Sequence, residues 1–272
     1  AMSLDLVLGY SGIVSLGHAA FFGAGAYATA LFAKHINPDP LTGLVFATAL
    51  TAVLGLVCSP GILRGSDLTR LMVTLGIALI MQNGGLYLFG STPVSISTPL
   101  SSKAWELGPL WGDSLSMFVN QGQTVAALIA VVVVVLFVTI MNRSRLGKSL
   151  RAAADNPEAA IYMGIDVDRA YRLAFGFGVA ITAIGGGLLA SSYPFQPYVG
   201  IDYVIVMYAG VVLGGMGSVS GAFFGGLMIG LVQQLSTLFL PNQLQNSAIF
   251  VVFLLIILLR PQGLFGKALR RT

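Results

Sequence analysis

The apolar positions of this chain fall in long uninterrupted runs. Stretches of near-spanning length occupy 16–33, 41–61, 71–90, 122–141, 173–190, 203–218, 221–240 and 246–260. A helix rising 1.5 Å per residue needs about twenty such residues to cross a hydrocarbon core roughly 30 Å thick. Eight crossings are expected, the sixth and eighth being short. Barrel strands would alternate apolar and polar positions, whereas AALIAVVVVVLFVTI at 126–140 is apolar on every face. The fold class is therefore all-α, a polytopic transmembrane bundle of about eight spans. Ahead of these, the first dozen residues are too few to cross. They read as a partial N-terminal segment, either the tail of a span whose upstream residues are missing or a re-entrant stub. With Asp5 and no base before Leu16, they do not form a cleavable signal peptide.

The bases orient the bundle. If odd-numbered crossings run outward, Arg64, Arg70, Arg143, Arg145, Lys148, Arg151, Arg169, Arg172, Arg260, Lys267, Arg270 and Arg271 share one side, leaving Lys34 and Lys103 as exceptions among fourteen bases. The positive-inside rule makes that side cytoplasmic and places both chain ends there. A sixth stretch that dipped in and returned would push the basic tail outside, so it is expected to cross.

Composition agrees with burial in lipid: 56% of the 272 residues are apolar and 9% charged, against roughly 25% charged in an average soluble domain. Mean hydropathy is +0.87. A net charge of +4 is shared by nucleic-acid binders, but the bases sit at the ends of apolar runs without exposed aromatics among them, which argues against a nucleic-acid partner. One cysteine, Cys58, rules out an internal disulfide or CxxC site, and two histidines, His18 and His35, make no metal cluster. No cofactor is expected on this chain.

The chain reads as one domain, 1–272, with two polar interruptions. The stretch 91–121 carries Pro93, Pro99, Pro109, Trp105 and Trp111 and is expected outside, its tryptophans at headgroup level, as a docking surface for an external partner. The segment 142–172 is expected inside. Within it Asp155 or Asn156 can cap a helix, Pro157 suits the first turn, Glu158 complements the positive helix end and Gly164 stops it. No soluble domain follows, so an ATPase would have to be a separate chain.

The thirty-four glycines concentrate within the spans. Gly217, Gly221 and Gly225 line one helical face, with Gly226 and Gly230 beside them, a spacing suited to close helix packing or to a moving seam. Ionisable groups within the spans reduce essentially to His18, which argues against an ion-coupled carrier and for work supplied from outside the membrane. His18 beside Ser15 is a packing residue or part of a solute path. Gln82 and Asn83 are either interhelical glue or donors and acceptors for a zwitterion. Gly9-Tyr10-Ser11-Gly12 matches the GxSG pattern of membrane serine proteases, but a base would have to come from His18 or His35. Gly215-x-Gly217 lacks the Lys and Ser/Thr of a phosphate loop.

Four separated motifs then act together: GYSGIVSLGHAAFFGAGAY at 9–27, RAAADNPEAAIYMGIDVDRAYRLAF at 151–175, VVLGGMGSVSGAFFGG at 211–226 and LLRPQGLFG at 258–266. In this order they resemble the LivM-like permeases of branched-chain amino acid ABC importers, from end to end of the chain. The stretch 91–121 is the least similar, and the family's usual N-terminal helix is not matched. The resemblance implies the ABC importer permease fold. It also implies a coupling helix resting on an ATP-binding subunit, and so assigns Arg151, Asp155, Asn156, Glu158, Ala159, Ala160 and Gly164 to that contact.

The expected function is that of a multi-pass permease subunit in a bacterial inner membrane, with its C-terminus cytoplasmic. It is not an enzyme. It would pass branched-chain amino acids or similar small polar solutes by alternating access along a path touching Ser15, His18, Gln82 and Asn83. The implied partners are lipid, two ATP-binding subunits that use the ATP, a second permease (a sister chain or a second copy) and an external solute-binding protein. A urea or short-amide permease would share the quoted motifs, and a passive channel or secondary carrier would work without ATP.

Overall fold

The structure is a computed structural model that describes residues 1–37, 39–63, 65–93, 95, 104–107, 117–241, 244–260 and 262–266. A helix stands at each of the eight apolar stretches: α2 (His18–His35), α3 (Pro40–Leu63), α4 (Asp67–Phe89), α5 (Gln121–Arg143), α8 (Val167–Ala190), α9 (Val199–Gly214), α10 (Val219–Phe239) and α11 (Gln245–Leu259). Among the described residues, α3, α4, α5, α8 and α10 are long and apolar enough to cross a membrane, and α9 and α11 are shorter apolar helices. Helix α1 (Met2–Asp5) runs on as a π-helical turn, Leu6–Tyr10. Two further helices, α6 (Arg145–Asp155) and α7 (Pro157–Tyr162), lie between α5 and α8.

Helix α8 is the axis of the bundle. More than half of its span is buried, and α2 and α3 pack along it. Small residues allow this proximity: a methyl added at Gly25 would meet Ala183, and one at Gly186 would strike the Phe22 carbonyl. Close approach of this kind multiplies dispersion contacts, which drive helix association where lipid is as apolar as the side chains. Phe175 of α8 also lies edge-on to Phe21, with ring centres 6.0 Å apart.

Helices α9 and α10 form a second tight pair. Gly221 and Gly225 of α10 face the carbonyls of Gly214 and Gly210 on α9. Gly226 stands against Gly210 beside them. Gly217 instead turns the chain between the helices with φ of +80°, and Gly230 has nothing within 4 Å of a methyl added there.

Residues 2–7 of the N-terminal segment are buried. Leu4, Asp5, Leu6 and Val7 are all 0% exposed. Met2, Leu6 and Tyr10 enter a cluster with Phe137 and Met141 of α5, Leu150 of α6 and Ala174 of α8. Asp5, ahead of the apolar stretches in which His18 was expected to stand essentially alone, adds a second buried ionisable side chain. A lone carboxylate at position 5 gave no periodic sign of burial.

The stretch 91–121 is described only in part. Strands β1 (Ala104–Leu107) and β2 (Met117–Asn120) pair antiparallel with Trp105 opposite Val119, and Trp105 is half exposed. Pro99, Pro109, Trp111, Arg64, Lys103, Lys267, Arg270 and Arg271 lie outside the described residues. Asn120 ends β2 and caps α5, its side-chain oxygen accepting from the Gly122 N–H at 2.9 Å.

Candidate functional site

Two features stand out: a jutting helical knob at the base-rich end, and a cleft beside α4.

The knob is built by local rules. Asn156 is the cap of α7, accepting the Ala159 N–H at 3.0 Å, and Pro157 occupies the first helical position, where no amide hydrogen is needed. Seven residues after Pro157 the helix is closed: Gly164 adopts φ of +79°, a left-handed conformation suited to glycine, and the Ile165 N–H returns to the Ala160 carbonyl at 3.0 Å. Asp166 then caps α8 by accepting the Arg169 N–H at 2.9 Å. The chain therefore leaves and re-enters the bundle through two capped junctions.

The seven residues assigned to coupling do not all face outward. Asp155, Asn156, Glu158, Ala159 and Gly164 are exposed. Ala160 is buried and packs with Ala153 and Val167, fixing the underside of the knob. Arg151 turns back to the bundle, where its guanidinium donates to the Met141 carbonyl at 2.7 Å and the Asn142 carbonyl at 3.3 Å. These carbonyls close the last turn of α5, which a cation complements. Arg151 thus ties α6 to a spanning helix and supports the knob from behind.

The residues that sequence reasoning did not single out are Ile161, Tyr162 and Met163, which are 59%, 89% and 82% exposed. Three consecutive large apolar side chains on a capped turn among bases and acids form a patch suited to burial against another protein. Their run within IYMGI was visible in the sequence, but the caps alone could not tell which side of so short a helix faces out.

The cleft encloses ≈ 700 Å³ between α2, α4 and the start of α9, with Leu50 and Leu54 of α3 at its side. Its lining is almost wholly apolar, and Gln82 and Tyr27 are the residues there with polar side-chain atoms. Gln82 is half-buried at the cleft wall. Asn83, the next residue, is exposed outside that lining, and its amide donates to the Leu79 carbonyl of its own helix at 2.8 Å.

Ser15 and His18 lie away from the cleft, enclosed in protein. Ser15 is 0% and His18 1% exposed. The Ser15 carbonyl accepts the Tyr208 hydroxyl at 3.0 Å, and the His18 ring meets Phe175 edge-on at 6.1 Å. Of the four residues proposed for a solute path, the structure brings Gln82 to the cleft and holds the other three elsewhere. Neither His18 nitrogen nor the Ser11 hydroxyl has a hydrogen-bond partner, so these two groups do not form a protease pair with each other.

At the base-rich end, Asp5 accepts the Gly217 N–H at 2.8 Å and so pins the α9–α10 turn to the N-terminal segment. The segment after α11 seals the same turn: the Leu264 and Phe265 N–H groups donate to the Leu213 and Gly214 carbonyls at 2.8 and 3.2 Å. The GGMGS and QGLFG motifs therefore meet in space, two of the four motifs on which the resemblance rests.

Comparison with known proteins places the chain among transport permeases. The chain is 26% identical to the high-affinity branched-chain amino acid transport system permease protein LivH of Escherichia coli, over 98% of its own length and 90% of the relative's. The permease protein BraD of Pseudomonas aeruginosa is likewise 26% identical, with the same coverage. A more distant likeness, 25% over 84% of this chain and 71% of the relative, joins it to the autoinducer 2 import system permease protein LsrD of Klebsiella pneumoniae. No solved structure matches the chain. Residues 1–259 match the family of branched-chain amino acid transport system permease components, and the chain, a multi-pass helical membrane protein, belongs to that family.

Proposed function

We propose that this permease moves branched-chain amino acids into the cell, as the names of LivH and BraD suggest, and that it is driven by ATP-binding subunits seated on the α7 knob. The knob is the observation that carries this reading. Its exposed Ile161, Tyr162 and Met163 supply an apolar contact, while the caps at Asn156 and Asp166 and the Arg151 tie to α5 make it stiff enough to pass a push to the bundle. A rigid-body displacement needs such a lever, because a loop without caps would absorb the motion.

The base-rich end is then cytoplasmic, with the C-terminus on that side, in a bacterial inner membrane. The cleft is one wall of the solute path. It is open along its side and is closed by a second permease bundle, and an external solute-binding protein delivers the solute to the opposite end. Few ionisable groups line the bundle, so coupling to an ion gradient has little to act on, and the work comes from ATP hydrolysed on the partner subunits.

Site-directed cross-linking tests the contact. In a Cys58→Ser background, Tyr162→Cys is expected to cross-link to the ATP-binding subunit in the assembled transporter, and Leu128→Cys on the lipid-facing side of α5 is not. An assembly that transports normally while Tyr162→Cys stays unlinked to that subunit overturns the reading.

A further inference from the structure

Helices α2 and α4 meet at several places along their length. Gly17 lies hard against Thr74, where an added methyl would strike the Thr74 carbonyl, and Tyr27 stacks on Phe89 with ring centres 4.9 Å apart. Gly23 on α2 and Gly84 on α4 lie between these contacts along their helices, beside the cleft. Both line the cleft, and a methyl added at either would meet nothing within 4 Å.

This is unlike the crowded glycines of the bundle. Gly186, Gly214, Gly221 and Gly225 have no side chain because a neighbouring backbone occupies the place. No atom of the described residues demands glycine at positions 23 or 84. In a helix interior glycine is disfavoured relative to alanine by about 1 kcal/mol, so the empty space itself is what the two positions provide. A second observation points to a guest. Tyr27 lines the same cleft, is 9% exposed, and its hydroxyl has no hydrogen-bond partner.

We propose that Gly23 and Gly84 set the size of a subsite for the aliphatic part of the solute, and that this chain reads the solute's side chain rather than its charged ends. The lining supports this division. It contains no charged residue, and an ionised amino or carboxylate group placed there would be desolvated without a partner, whereas a branched hydrocarbon gains from burial. Gln82 supplies an amide at the wall, and the ammonium and carboxylate of the zwitterion lie outside the apolar part. The inference rests on the permease reading and adds to it which residues discriminate between solutes.

Since neither position is crowded, Gly23→Val and Gly84→Val fill the cleft without straining the fold. The test is ATP-dependent uptake of leucine and of alanine by proteoliposomes holding the complete transporter. Gly76→Val serves as control, because Gly76 is equally uncrowded on α4 but lies off the cleft lining. One methylene in an apolar pocket shifts discrimination by about 10–200-fold. Each cleft variant is therefore expected to lower the leucine-to-alanine uptake ratio about tenfold, with Gly76→Val leaving it unchanged. A ratio unchanged in both cleft variants, with transport retained, overturns the subsite and leaves the permease reading standing. Parallel loss of both solutes together with release of the second permease chain also overturns it, since the cleft would then be a packing surface. No uptake by the unaltered transporter would instead defeat the permease reading and the subsite with it.

Discussion

Helices α9 and α10 approach until glycine meets backbone, whereas α2 and α4, though in contact, leave beside them a cleft lined by Gly23 and Gly84 with nothing opposite either. The same residue type closes one interface and opens the other. In the first region removing side chains gives dispersion contact between backbones, and in the second it gives volume. What distinguishes them is the partner across the gap, which no count of glycines along the chain contains. The bundle thus has a locked pair pinned by Asp5 and the 262–266 segment, and a loosely held wall in α4, of whose span 6% is buried.

The largest effect is expected where the locked pair is forced apart. Gly221→Val would drive a branched side chain into the Gly214 carbonyl. Overpacking costs about 1–3 kcal/mol where neighbours can yield, and a backbone carbonyl yields little. The monodisperse fraction in detergent, read by size-exclusion chromatography, is expected to fall at least about tenfold, the equivalent of roughly 1.4 kcal/mol. A normal elution profile would show that the pair is not locked.

A smaller effect is expected at the knob. Gly164→Ala puts a side chain into the left-handed region, at a cost of about 1–2 kcal/mol, and Asn156→Ala removes a cap worth about 1 kcal/mol. Both changes act on a short exposed helix, so thermal stability of the bundle should stay within a few degrees while ATP-driven uptake falls severalfold. Loss of bundle stability with uptake per folded molecule unchanged would mean that the knob is structural only.

The smallest effect separates two adjacent amides on the loose wall. Gln82→Leu removes the amide at the cleft wall, whereas Asn83→Leu removes one already bonded to its own helix. Uptake kinetics should change severalfold for Gln82→Leu and less than about twofold for Asn83→Leu, a surface change outside the site. The reverse order would place the solute on the other side of α4.

Much of this fold was legible in the chain. Each apolar stretch has its helix, because hydrocarbon admits hardly any other way to satisfy backbone groups. The α7 helix was readable from Asn156-Pro157-Glu158 and Gly164, since caps are local. Gly221 and Gly225 were readable from their four-residue spacing. Less legible were features set by three-dimensional neighbours: Asp5 reaching Gly217, Arg151 turning to Met141, and His18 and Ser15 enclosed by protein rather than lining the cleft. The short strands β1 and β2 escaped notice because eight paired residues in a polar, proline-bearing stretch carry no periodic signal. Ile161, Tyr162 and Met163 were passed over because apolar residues in a membrane protein draw attention only once their exposure is known.

The most direct test of the account is leucine uptake by vesicles holding the permease with its ATP-binding and solute-binding partners, with and without ATP, for the native chain and for Tyr162→Ser/Met163→Ser. The account predicts uptake that requires ATP and falls at least about tenfold in the double variant, with the permease still folded in the membrane, as expected where an interface loses its central anchors. Uptake that proceeds without ATP, or that is undiminished in the double variant, would contradict it.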